Sequence, residues 1–78
     1  MDRVYIITDI DMYEPSCPEV TNYVTQNKEK AEGIFQRCID EWKKFSNYVK
    51  QNGNEIKIYD SEEICVGFIT LKQENIEN

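Results

Sequence analysis

Ala31, Ile34, Phe35, Cys38, Ile39, Trp42, Phe45 and Val49 recur at steps of three and four, drawing one apolar stripe along the middle of the chain. The spacing predicts a helix over 28–51. Asn27 stands where a capping side chain is wanted, and Gly53 stands just past the end, where a left-handed residue is favoured. Gly33 weakens this helix relative to alanine and reads as a point of close approach to a strand.

Around the helix the period changes to two. Residues 3–8 are dense in β-branched and aromatic side chains and apolar at nearly every position, as in a strand buried on both faces. Residues 19–25 mix Val20, Tyr23 and Val24 with polar neighbours and suit an edge strand. Residues 55–59 alternate, with Ile56 and Ile58 on one face. Residues 64–71 are apolar on both faces: Ile64, Val66 and Phe68 on one, Cys65, Ile69 and Leu71 on the other. The segment 9–18, with Pro15, Ser16 and Pro18, reads as a loop.

The resulting expectation is an α+β domain of order ββαββ over 1–72, a four-stranded sheet with one long helix on one face, and a frayed tail over 73–78. Short connections on either side of the helix favour the order 2-1-4-3 with a parallel central pair, ahead of an all-antiparallel 2-1-3-4. One helix covers one sheet face only. The other face, with Cys65, Ile69 and Leu71 on it, is therefore expected to meet a second copy or a partner. A chain of 78 residues buries a small core, which adds weight to a homodimer.

Composition removes several chemistries. The chain has no histidine, which excludes a histidine-activated nucleophile and histidine-ligated zinc. No two of Cys17, Cys38 and Cys65 have the spacing of a zinc knuckle or redox motif, and an odd count argues against a disulfide framework. Gly33, Gly53 and Gly67 stand apart, so there is no phosphate-cradling loop. No metal, no cofactor and no enzymatic activity are expected. The opening residues read as a strand rather than a leader, and no apolar run approaches the roughly 18 residues of a membrane span. A cytoplasmic protein without membrane contact is expected.

Charge then points to a site. Fifteen Asp and Glu against nine Lys and Arg give a net charge of −6. Asp9, Asp11, Glu14 and Glu19 follow one another with no cation between them and with Tyr13 in their midst. Such a surface suits a basic protein partner, including one whose own ligand is nucleic acid, and it speeds association electrostatically. A solvated loop is the plainer reading of the same residues, and an Asp9–Asp11 cation site for calcium or magnesium a third. The helix lysines alternate with acids, so direct nucleic-acid binding is not expected. Trp42 reads as the central core anchor.

The opening Val4-Tyr5-Ile6-Ile7-Thr8, the short second strand and the helix start Lys28-Glu29-Lys30-Ala31-Glu32 resemble a pattern in small uncharacterised proteins of phages and mobile elements. The resemblance spans about the first 45 residues and departs at the acidic, proline-bearing segment 9–18. It implies phage origin and a stoichiometric inhibitor of a host protein, anti-CRISPR proteins being among such inhibitors. The leading expectation is a non-enzymatic, acidic protein-binding module that blocks a host defence protein. The alternatives are a self-associating module or a small oligomer that sequesters a nucleotide-like ligand through Arg3 and Arg37.

Overall fold

Asn27 caps the helix as its position predicts: its Oδ1 accepts a hydrogen bond from the Lys30 backbone N–H at 3.0 Å, opening α1 (Lys28–Lys43). The computed structural model describes residues 2–13, 16–46 and 48–76. Ala31, Phe35, Cys38, Ile39 and Trp42 form the buried stripe of α1, with Ile34 packed beside it. The strands are β1 (Asp2–Asp11), β2 (Glu19–Thr25), β3 (Tyr48–Asn52), β4 (Glu55–Tyr59) and β5 (Cys65–Ile76). They form one five-stranded sheet in the order β2-β1-β5-β4-β3, antiparallel throughout.

Three expectations change here for one reason. The helix ends at Lys43, not at residue 51, because the Phe45 and Ser46 amides both fold back onto the Trp42 carbonyl and close the last turn. The chain then turns through Ser46, whose hydroxyl donates to the Tyr59 carbonyl, and Tyr48–Asn52 becomes a strand. Gly53 consequently serves a hairpin instead of a helix cap. It is the first residue of the two-residue turn between Asn52 and Glu55, with φ +62, where glycine avoids the cost of a left-handed backbone. The extra strand also adds one reversal of direction. The four expected strands keep their spatial order, but the central pair, β1 with β5, runs antiparallel rather than parallel.

The tail is likewise more ordered than its polarity implies. β5 continues to Ile76 because β1 offers a backbone ladder along its whole length, from Asp11 opposite Gly67 to Asp2 opposite Ile76. Hydrogen bonding, not side-chain burial, orders residues 73–75.

Register decides which side chains meet the helix. Tyr5 and Ile7 of β1, Ile56 and Ile58 of β4, and Ile69 of β5 are all buried in the core cluster with the helix stripe. Ile69 lies opposite Asp9 and Ile56 and is fully buried, and Leu71 lies opposite Ile7 and packs on the same core. The face expected to be open through Cys65, Ile69 and Leu71 is therefore the covered one; Cys65 itself is half-buried beside a register shift.

The other face is more polar than expected. One row across it reads Val20–Ile10–Phe68–Lys57, and another reads Val24–Ile6–Lys72. Between them runs Asn22–Thr8–Thr70–Glu55, with the Thr8 hydroxyl bonded to Asn22 Oδ1 at 2.8 Å. The apolar side chains are split by a polar row, which removes the argument for a large oily interface.

Two glycines have opposite surroundings. A Cβ on Gly67 would lie 2.8 Å from Trp42 Cζ2 and 2.9 Å from Cη2, so the indole packs flat on the β5 backbone. Nothing lies within 4 Å of a Cβ on Gly33, which answers the expected close approach: there is none. In urea unfolding, Gly67→Ala is expected to destabilise by about 1–3 kcal/mol through overpacking. Gly33→Ala is expected to stabilise by about 0.5–1 kcal/mol, because it removes backbone entropy from the unfolded chain at no steric cost.

Candidate functional site

Strand alternation puts Asp9 and Asp11 on the helix side of the sheet, after Tyr5 and Ile7, and Tyr13, just beyond β1, reaches the same side to stack on Trp42. Ten extended residues of β1 span about 33 Å, whereas sixteen helical residues span about 24 Å. The helix therefore stops near Trp42 while β1 runs on beneath and beyond it. The uncovered end is a cleft of about 400 Å³. Asp9, Asp11 and Tyr13 supply one wall, and Glu19, Thr21 and Tyr23 of β2 the second. Glu41, Trp42 and Phe45 supply the third, from the helix end.

Trp42 serves both core and cleft. It is buried, yet its Nε1–H donates to Asp9 Oδ1 at 2.9 Å, and its ring stacks with that of Tyr13 at a centroid distance of 6.2 Å and an interplanar angle of 7°. The Asp11 carboxylate accepts from the Tyr13 backbone N–H at 3.0 Å, which turns the chain as it leaves β1. At the mouth, Tyr13 is 54% exposed and Phe45 76% exposed. Phe45 was expected on the buried stripe; the early end of α1 puts it on the rim.

The electrostatics are one-sided. Asp9, Asp11, Glu19 and Glu41 line the cleft, and among the described residues no lysine or arginine does. Asp11 and Glu19 face each other directly across β1 and β2, a like-charge placement that destabilises an antiparallel pair. The carbonyl end of α1 adds partial negative charge to the same place. Burial raises the Asp9 carboxyl above its ordinary value of 3.8; the Trp42 N–H opposes that shift without cancelling it, and Asp11 and Glu41 add to it. Burial, with the Asp9 carboxylate beside it, pushes the Cys38 thiol up to about 11, so Cys38 stays protonated near neutral pH.

Of the residues expected to form a partner surface, Asp9, Asp11, Tyr13 and Glu19 come together in this cleft; Glu14 lies outside the described residues. Sequence reasoning missed Glu41, Thr21, Tyr23, Phe45 and the cleft-side role of Trp42. The available signal was the Trp42 N–H, which needs an acceptor when buried. Arg37, offered for phosphate recognition, has its Cζ 5.8 Å from the centre of the Tyr23 ring and does not itself line the cleft. Among the described residues, no group of three or more His, Cys, Asp or Glu is arranged to hold a metal ion, and no helix is long and apolar enough to cross a membrane.

No protein family, curated protein or solved structure matches this chain.

A raised carboxyl has a definite sign in stability. The folded state holds the Asp9 proton to higher pH than the unfolded chain does, so this group's contribution falls as pH rises from 3.8 through the raised folded value. Asp9→Asn keeps an oxygen for the Trp42 N–H and removes the titration. Urea unfolding between about pH 4 and pH 7 is expected to show the stability of Asp9→Asn gaining on wild type as pH rises. A difference that is flat, or that narrows with rising pH, contradicts the burial of this carboxyl.

Proposed function

We propose that this chain is a non-enzymatic, acidic protein-binding module that docks its cleft on a basic surface of a partner protein. The observation that carries the reading is the Asp11–Glu19 pair: two facing carboxylates in a cleft lined by four acids and, among the described residues, no cation. Asp11 bonds the Tyr13 N–H, but the like-charge pairing with Glu19 adds nothing to folding, whereas a basic partner relieves it. The aromatic lining supplies contact area at low entropic cost. The phage-like opening of the chain extends the reading to an inhibitor acting in a host cytoplasm on a defence protein, of the anti-CRISPR kind. There it would cover a surface that otherwise meets nucleic-acid phosphate.

The test compares wild type with Asp11→Asn/Glu19→Gln/Glu41→Gln as immobilised baits in bacterial lysate. At low salt, where charge attraction is strongest, wild type is expected to retain a protein that added salt releases. The triple variant, with a melting temperature equal to or above wild type, is expected to associate with that protein at least about tenfold more slowly. No retained protein, or equal retention by the variant, defeats the reading.

A further inference from the structure

The cleft has features that go beyond attraction to a basic surface and describe the group that enters it. We infer that it receives one arginine side chain of the partner, with the guanidinium lying on the exposed Tyr13 ring, which Trp42 backs, and pairing with Asp11 and Glu19. The inference rests on the docking reading above.

The occupant is cationic because four carboxylates and the carbonyl end of α1 converge where no described lysine or arginine lines the wall. It is flat because the exposed aromatic surface is the Tyr13 ring, which stacks on the buried Trp42 ring and is itself 54% exposed. A guanidinium stacks on such rings and presents a planar fork of donors to carboxylates, whereas an ammonium offers a point charge with neither property. The same fold already contains the pairing in miniature, since Arg37 places its own guanidinium carbon 5.8 Å from the centre of the Tyr23 ring.

The carboxylates divide their work. Asp9 and Asp11 each accept one hydrogen bond, Asp9 from the buried Trp42 Nε1–H and Asp11 from the Tyr13 backbone N–H at the exposed end of β1, so Asp9 positions the ring and Asp11 is the one at the mouth. Asp11 and Glu19 sit side by side across two strands, the arrangement a forked donor needs. At about 400 Å³ the cleft lies toward the small end of ligand sites, which run from roughly 300 to 1,000 Å³, and it suits one long side chain with its adjoining backbone.

The experiment titrates the full chain with the blocked tripeptide acetyl-Gly-Arg-Gly-amide while following the Trp42 indole N–H by nuclear magnetic resonance. Parallel titrations use the lysine and citrulline counterparts; citrulline keeps the shape and removes the charge. A saturable Trp42 shift is expected with arginine, a several-fold weaker one with lysine and none with citrulline. Asp11→Asn/Glu19→Gln is expected to weaken the arginine response about tenfold, the loss of charge-assisted hydrogen bonds. Tyr13→Leu, at an exposed position, is expected to weaken it while leaving the fold intact. No saturable shift, an equal response to citrulline, or lysine matching arginine overturns the inference. Carboxylate-dependent capture of a partner with no arginine response overturns it and leaves the docking reading standing. An arginine response without a captured partner upholds the cleft's selectivity for a guanidinium and removes the docking reading instead.

Discussion

The fold and the cleft both depend on how Trp42 is seated. Its ring lies on the β5 backbone at Gly67, where a single added carbon has no room, and its one polar atom reaches the Asp9 carboxylate. The first contact fixes how closely the helix end approaches the sheet. The second requires a carboxylate to be half-buried beside an indole, which is why the Asp9 proton is held more tightly than usual. Core packing and cleft chemistry meet in one side chain, so neither can change without the other.

How much of this was legible varies with the kind of signal. The helix stripe from Ala31 to Trp42, the Asn27 cap and the relative order of four strands follow from periodicity and short connections, and they hold. The helix end does not follow, because Phe45 and Val49 continue the apolar spacing by coincidence. Tyr48 and Val49 suit a strand as well as a helix, and only the Ser46 contact with Tyr59 settles the matter. That one error hid the fifth strand, reversed the central pair and misassigned Gly53. The face of Ile69 was lost for a related reason: a strand apolar on both sides carries no parity signal, and register with β1 decides it. Of the acidic cluster, sequence showed the members but not the walls, since Glu41 and Tyr23 lie far along the chain from Asp9.

The cleft also carries a local cost in stability. Asp11 and Glu19 occupy facing positions where nearly any neutral pair would be more comfortable, and the helix directs the negative end of its dipole toward them. Natural domains carry such local conflicts mainly where a site needs them. The polar row Asn22–Thr8–Thr70–Glu55 on the opposite face has the contrary character, with the Thr8 hydroxyl bonded to Asn22.

The central ladder joins Asp2 to Ile76, so the two strands in the middle of the sheet are the most distant from each other along the polypeptide. During synthesis, α1 and the β3–β4 hairpin emerge with all their local partners, while β1 waits for β5. Ile6 and Ile7 can pair with β2 at once, but their partners in β5 are absent until residues 65–76 have emerged. Closing so long a loop is entropically slow, which makes the β1–β5 seam a late contact in folding.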